Sequence, residues 1–269
     1  MKKIILIIGV LIITLFSGCF TTPTVIDVGF EKLQNYSEFK QLPDNTIVYY
    51  NNYTFILTNP TDKYKHGILG DNIESETLTY FNSNEIDNIN KINVINFSPQ
   101  VFEGLFPIVS DNLIITTLSG DGRGSQIVGF DFNGVQVFSS SVLSSGWRHV
   151  LGFENSYIIN VVKPHVLGEL EVLKIVNESL VQVSNLNGYS THRIGSRNLD
   201  IFEFYTFENK RYLILPTFDF SSVAVVTFFD GELKEVSRVE FDNEIFSIEN
   251  VDGKIYVNDI NLNIDEVLK

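Results

Sequence analysis

The chain has 269 residues, of which 44% are hydrophobic and 13% aromatic, and its 19 basic and 33 acidic side chains give a net charge of −14. This composition is typical of a folded globular chain and excludes a disordered one. The acidity argues against nucleic acid as a partner, because the phosphate backbone would be repelled. The single cysteine excludes a disulfide framework and a multi-cysteine zinc or iron–sulfur site.

The first segment of the chain has the pattern of a secretory signal peptide. Lys2 and Lys3 precede an apolar run over residues 4–16 that contains only one glycine and one threonine. Thirteen residues are too few to cross a hydrocarbon core of about 30 Å as a helix, but they suit the apolar region of a signal peptide. The sequence therefore predicts export.

The run ends in a sequence that resembles the lipobox of bacterial-type lipoproteins, namely Leu15, Phe16, Ser17, Gly18 and Cys19. Phe16 departs from the usual leucine of that motif. The resemblance implies that residues 1–18 are removed and that the Cys19 thiol carries a lipid, which anchors the protein in a membrane. Residues 19–41 are then a tether, and the protein is expected outside the cytoplasmic membrane. The alternative is an uncleaved anchor with an incidental cysteine.

From about residue 45 the chain consists of short β-type runs separated by turn residues. β-Branched and aromatic residues are concentrated at 47–50, 54–58, 113–118, 157–162, 212–215, 223–229 and 254–257. Turn sequences such as Asn133-Gly134, Asp230-Gly231 and Asp252-Gly253 lie between them and favour tight hairpins. The fold class predicted is all-β.

The runs recur at a nearly constant interval, with similar starts at residues 113, 157, 212 and 255. A repeat of about 45 residues is typical of a four-stranded propeller blade. Residues 42–269 are therefore predicted to form a single β-propeller domain of about five four-stranded blades, whose ring is closed by the two chain ends. A β-sandwich is the alternative, because it also contains short, evenly spaced strands.

Polar residues with binding chemistry lie in short stretches beside the predicted strands. Equivalent positions of successive blades converge on the axis of a propeller. His149 and His192 are 43 residues apart, about one blade, so their spacing predicts equivalent positions, and we expect several of these polar side chains to meet in a central funnel. Arginine supplies planar donors, histidine a titratable donor, and carboxylates and amides supply acceptors, while tryptophan stacks on rings. The candidate ligand-binding residues are His66, Asp71, Trp147, Arg148, His149, His165, His192, Arg193, Arg197, Asn198 and Asp200.

Three interpretations of this set stay open. The residues could bind a small polar ligand, anionic or polyhydroxylated, or an unidentified protein. They could serve a hydrolase or another enzyme, with Asp71 or Asp200 as the base and a histidine as the acid. They could also be structural and form buried hydrogen bonds that connect neighbouring blades. No spacing such as His-x-His is present, so no metal ligand is assigned, and no catalytic residue is assigned either.

The segments 62–76, 98–131, 147–168 and 189–217 resemble the FG-GAP/VCBS-repeat propellers, which are related to the N-terminal propeller of integrin α-chains. The resemblance lies in His66-Gly-Ile-Leu-Gly-Asp71, Pro99-Gln-Val-Phe-Glu103, Trp147-Arg-His-Val-Leu-Gly152, Pro164-His165 with Gly168, and His192-Arg-Ile-Gly-Ser-Arg-Asn-Leu-Asp200. It implies a secreted or surface-held propeller, stiffened by calcium, that binds partners instead of catalysing a reaction.

The calcium loops of that family are reduced in this chain. Their positions read Val109-Ser-Asp-Asn-Leu, Phe207-Glu-Asn-Lys-Arg and Asn250-Val-Asp-Gly-Lys. Each keeps only one or two acidic or amide side chains of the kind that supply oxygen ligands to calcium, so calcium is a possible cofactor and no ligand is assigned to it. The function expected is that of a membrane-anchored binding or scaffold module.

Overall fold

The computed structural model describes residues 47–84, 91–120 and 122–268. The predicted signal peptide, Cys19 and the tether at 19–41 lie outside the described residues. The described part contains twenty strands, a 3₁₀ helix at Gly67–Leu69 and a short helix α1 at Ile264–Val267. The prediction of an all-β fold is confirmed.

The strands form five antiparallel units that follow one another along the chain. Unit 1 is β1 (Ile47–Tyr50), β2 (Tyr53–Thr61), β3 (Glu74–Asn82) and β4 (Asn93–Asn96), and unit 2 is β6 (Ile108–Ser110), β7 (Leu113–Gly120), β8 (Arg123–Asp131) and β9 (Gln136–Ser139). Between these units, β5 (Val101–Phe102) pairs with both β3 and β7.

Unit 3 is β10 (Arg148–Glu154), β11 (Tyr157–Val162), β12 (Glu169–Val176) and β13 (Ser179–Asn187), and unit 4 is β14 (Glu203–Phe207), β15 (Lys210–Pro216), β16 (Ser222–Phe229) and β17 (Glu232–Glu240). Unit 5 has three strands, β18 (Ile248–Val251), β19 (Lys254–Val257) and β20 (Ile260–Leu262).

Two-residue turns set the register of most hairpins. Asp111 and Asn112, between β6 and β7, both have positive φ angles of 50° and 59°. Asp252 and Gly253 repeat this geometry between β18 and β19, at 52° and 78°. Two successive left-handed residues match the right-handed twist of the flanking strands, and Asn, Asp and Gly adopt this conformation most readily. The turn residues therefore determine where each strand reverses.

Successive side chains of a strand pack against different units, because they point to opposite faces of the sheet. In β11, Ile158 joins a buried cluster with Ile115 of unit 2. Its neighbour Ile159 joins another cluster with Leu213 of unit 4. Corresponding clusters lie between units 1 and 2 and between units 4 and 5. The core is thus a series of apolar layers between consecutive units.

This stacking identifies the fold as a β-propeller and argues against a β-sandwich. A sandwich buries one face of each of two sheets, whereas unit 3 buries both of its faces against different neighbours. Four-stranded meanders packed in chain order are the blades of a propeller. The predicted number of five four-stranded blades stays a prediction, because the fifth unit has three strands in the described part of the chain.

Seven of the longer connections between described strands emerge at one end of the units, which we call the loop face. Four antiparallel strands return the chain to its starting side, so the loop inside a unit and the loop to the next unit share this face. The loop face carries residues 62–73, 97–107, 140–147, 163–168, 188–202, 217–221 and 241–247. Within residues 47–84, 91–120 and 122–268, no helix has the length and apolar character needed to cross a membrane.

Candidate functional site

An aromatic stack lies at the centre of the site. The indole of Trp147 is nearly parallel to the imidazole of His149, with the ring centroids 4.9 Å apart, and to that of His165, 6.3 Å away. His192 meets the indole edge-on at 5.7 Å. Trp147 is buried and its Nε1–H donates a 3.0 Å hydrogen bond to the carbonyl oxygen of Glu103. The stack therefore joins three loop-face segments that are distant in sequence.

The hydrogen bonds of the histidines fix their tautomers. His192 Nε2 lies 2.7 Å from the carbonyl oxygen of Ser196, which can only accept, so Nε2 carries the proton. Burial lowers the pKa of His192, so its ring is neutral at pH 7 and Nδ1 accepts, with Nε2 of His165 as the donor. His149 Nδ1 forms a 2.7 Å hydrogen bond with the hydroxyl of Thr191. The pairing of His165 with His192 therefore requires an unprotonated Nδ1 on His192.

The pKa values agree with a neutral cluster. Burial, together with repulsion from His192 and His165, lowers the pKa of His149 to about 3. Burial lowers the pKa of His165 to about 4, with smaller contributions from His192 and His66. Burial also lowers the pKa of His192. These three histidines are uncharged at neutral pH and act as neutral hydrogen-bonding groups.

His66 differs from the other three because it faces a carboxylate. Its Nδ1 contacts Glu103, whose side chain is fully buried and also accepts from the hydroxyl of Ser119. The hydrogen bond to Glu103 raises the pKa of His66, although burial opposes the rise. Burial and the negative charge of Glu103 raise the pKa of the neighbouring Tyr64 to about 12. Glu103, which was not among the predicted site residues, therefore organises this side of the site.

The arginine side chains near the stack are held by acidic groups. Arg148 Nη1 lies 2.7 Å from Glu171 Oε1, and both side chains are buried. Arg193 contacts Glu244 and donates a 2.7 Å hydrogen bond to the carbonyl oxygen of Ile245. These contacts connect unit 3 internally and connect the loop 188–202 with the loop 241–247. Neither guanidinium points into the aromatic stack.

The loops 62–73 and 188–202 meet over the centre of the loop face. Arg197 pairs with Asp71, and the amide of Gly195 donates a 2.7 Å hydrogen bond to the carbonyl oxygen of Ile68. Gly70 has a φ of +100°, and a Cβ there would lie 2.5 Å from Cγ of Arg197, so this close approach requires glycine. The predicted funnel is therefore covered by loops.

A small cavity lies beside the stack. Trp147, His149, Thr117, Glu103 and Asp200 are among its lining residues, and its interior of about 30 Å³ is room for one or two water molecules. Burial raises the pKa of the Asp200 carboxyl to about 6, and this side chain has no hydrogen-bond partner among the described residues. Asp200 is thus the one candidate carboxylate that is available to a ligand in the cavity.

Asn198 lies on the outer side of the same loop. Its Nδ2 donates a 3.0 Å hydrogen bond to the carbonyl oxygen of Phe246, and its Oδ1 accepts from the amide of Asp200. Asn198 therefore positions the loop backbone next to unit 5, away from the cavity.

The described residues do not fit a metal ion. Among residues 47–84, 91–120 and 122–268, no three His, Cys, Asp or Glu side chains are grouped closely enough to hold a metal. At the positions of the family's calcium loops, two-residue turns such as Asp111-Asn112 and Glu208-Asn209 leave no loop that could surround the ion. The calcium suggested by the resemblance is not supported by these turns.

The structure corrects one argument about the histidines. Their spacing predicted that His149 and His192 occupy equivalent positions of successive blades. That equivalence is wrong: His149 lies in β10, whereas His192 lies in the loop before β14. The two nevertheless flank the same indole, because the long loop 188–202 turns back over unit 3 through the hydrogen bond between Ser190 Oγ and the carbonyl oxygen of Pro164.

The chain is similar in structure to several solved proteins at low identity. A quinohemoprotein alcohol dehydrogenase from Pseudomonas putida HK5 has a TM-score of 0.44 at 9% identity, over 78% of this chain and 36% of that protein. The dihydro-heme d1 dehydrogenase NirN has a TM-score of 0.46 at 10% identity, over 81% of this chain and 50% of that protein. The WD40 domain of Toxoplasma gondii coronin has a TM-score of 0.41 at 14% identity, over 72% of this chain and 48% of that protein. The chain spans half or less of the length of these proteins.

No protein-family model and no curated protein matches the chain. The resemblance to the FG-GAP/VCBS repeats therefore stays a prediction.

Proposed function

We propose that the chain is a lipid-anchored, extracytoplasmic binding or scaffold module, and that its propeller binds a partner. The mutual pairing of the candidate residues carries this proposal. A catalytic constellation requires two or three groups that are open to a substrate, whereas here His165 pairs with His192, Arg148 with Glu171 and Arg197 with Asp71. Pairs of this kind rigidify a surface for binding.

The proposed anchor is the lipid on Cys19, for which the lipobox resemblance is the support. Two acyl chains give stable membrane attachment, whereas one gives only marginal attachment. In cells that produce the full chain, we expect labelled palmitate to enter the wild-type protein and the protein to sediment with membranes. Cys19→Ser should remove the label. Equal labelling of both proteins would refute lipidation at Cys19.

One observation favours catalysis as the second candidate function. Asp200 has a raised pKa and lines the cavity together with His149, as a general acid or base would. A panel of chromogenic esters, phosphate esters and glycosides tests this alternative. Turnover by the wild type that Asp200→Asn abolishes would favour the enzyme, and absence of turnover with every substrate class would favour the binding module.

Stability measurements separate the two candidates further. If the histidines are structural, His192→Asn should lower the free energy of unfolding by about 1–3 kcal/mol. The reason is that the groups bonded to His192, Nε2 of His165 and the carbonyl oxygen of Ser196, lose their hydrogen-bond partner. Residues kept for catalysis commonly cost stability, so their replacement is neutral or stabilising. Urea unfolding of His192→Asn and of the wild type at pH 7 provides this comparison.

A further inference from the structure

Part of the loop face exposes large apolar side chains. Val166 and Ile194 are 79% and 67% exposed, and Leu167, Phe218 and Phe246 also lie in contact with solvent. All five stand in loops inside units 3 and 4 or in the connections that lead from these units to the next. We call them the apolar rim. Single exposed apolar residues are common on proteins, but a group on one face marks an interaction surface.

The rim is continuous because its loops are bonded to one another. The amide of Phe218 donates a 2.8 Å hydrogen bond to the carbonyl oxygen of Gly188, and a Cβ on Gly168 would lie 2.6 Å from the Phe218 ring. The carbonyl oxygen of Phe246 accepts from Asn198, in the loop that carries Ile194. These contacts place the loops 163–168, 188–202, 217–221 and 241–247 side by side.

The path of the chain indicates what the rim contacts. The described part of the chain begins with Ile47, at the loop-face end of β1, since β1 runs from this face to the turn at 51–52. The chain therefore enters its described part at the face that carries the rim. A lipid on Cys19, which precedes this point in the sequence, would bring this face toward the bilayer.

The charges around the rim favour a zwitterionic bilayer surface. Arg193 is close to Glu244, and Asp219 and Asp242 are exposed beside Phe218 and Phe241. The chain as a whole carries −14. Anionic lipids would repel such a protein, whereas aromatic and aliphatic side chains can enter the headgroup region of neutral lipids without charge attraction.

We infer that the apolar rim rests on the membrane surface, with Ile194, Phe218 and Phe246 inserted between neutral lipid headgroups. This inference rests on the proposed function, because the lipid on Cys19 brings the rim to the bilayer. The opposite end of the propeller then faces away and stays available to a partner.

A tryptophan reporter tests the orientation. Residues 19–269 retain every described residue, and Cys19, the only cysteine, can be coupled to a maleimide lipid in phosphatidylcholine vesicles with brominated acyl chains. Ile194→Trp places the reporter in the rim. The matched control is Phe229→Trp, at the 82% exposed last residue of β16, next to the hairpin turn at the opposite end. The unsubstituted protein gives the contribution of buried Trp147.

We expect the emission of Ile194→Trp to shift to the blue and to be quenched by the bromolipid, and Phe229→Trp to remain as in buffer. Equal quenching at both positions, quenching of Phe229→Trp alone, or none at either would overturn the inference; in the last case a protein partner would become the occupant of the rim. Chemical coupling makes this result independent of cellular lipidation, so a failure of the anchor and a failure of the rim are distinguishable.

Discussion

The buried ion pair of unit 3 allows a quantitative test of the core. Arg148 and Glu171 are each 6% exposed and lie 2.7 Å apart, and Nε of Arg148 has no partner within the described residues. Burial lowers the pKa of Arg148 and raises that of Glu171, so the site disfavours both charges. Glu171→Leu leaves the guanidinium buried without its counter-ion, and we expect a loss of about 3–5 kcal/mol.

The double variant Arg148→Met/Glu171→Leu removes both charges. It should recover the loss and approach or exceed the wild-type stability, because an apolar pair of similar volume is neutral or stabilising by about 1–4 kcal/mol. The matched control is the exposed pair of Lys63 and Glu76, with side chains 62% and 26% exposed, where Glu76→Gln should cost less than about 1 kcal/mol.

Urea unfolding at pH 7, followed by circular dichroism, measures all four proteins. If Glu171→Leu costs no more than Glu76→Gln, the Arg148 charge reaches solvent and the reasoning about burial is refuted. If the double variant is as unstable as Glu171→Leu, the loss comes from packing at position 171 and not from the unpaired charge.

Three further predictions concern the site and the packing of unit 2. Because the pKa values of His149 and His165 are about 3 and 4, only the unfolded state binds protons at these residues as the pH falls below about 6.5. Between pH 7 and pH 5 each histidine should therefore lower the free energy of unfolding by about 1–2 kcal/mol. His165→Gln should make the free energy of unfolding, measured in urea, less dependent on pH. Asp200 has a raised pKa of about 6, so its charge opposes folding at pH 7; Asp200→Asn should raise the unfolding midpoint there and have no effect at pH 3, and equal effects at both would contradict the assignment. Gly129→Ala places a Cβ against the Phe138 ring and should cost about 1–3 kcal/mol in the same assay, whereas an unchanged midpoint would refute that contact.

The strands were predictable because their signals are local. The sequence predicted 47–50, 157–162 and 254–257 with the boundaries that β1, β11 and β19 have. Turn pairs such as Asp230-Gly231 determine where a strand reverses, since few residues adopt the positive φ of a two-residue turn. The regular interval between strands then led to the propeller, because each blade is one such meander.

The partners of the polar side chains were not predictable from spacing. Arg197 pairs with Asp71, 126 residues earlier in the chain, and nothing in either local sequence selects the other. Glu103 received no role, although a lone acid among Val101, Phe102 and Leu105 is a signal for a buried carboxylate that needs partners. Such pairs depend on the paths of the long loops, which packing between blades determines.

The hydrogen bonds of His165, His192 and Arg193 also hold the loops that carry the apolar rim. His165, through His192, connects the loop of Val166 and Leu167 to the loop of Ile194. Arg193 connects that loop in turn to the backbone next to Phe246. The paired groups therefore hold the rim residues at fixed positions, so that binding by the rim orders few additional side chains. Protonation of His192 at Nδ1 would remove the acceptor for His165 Nε2 and would loosen the same loops. The histidines thus hold in place the surface that we infer to contact the membrane.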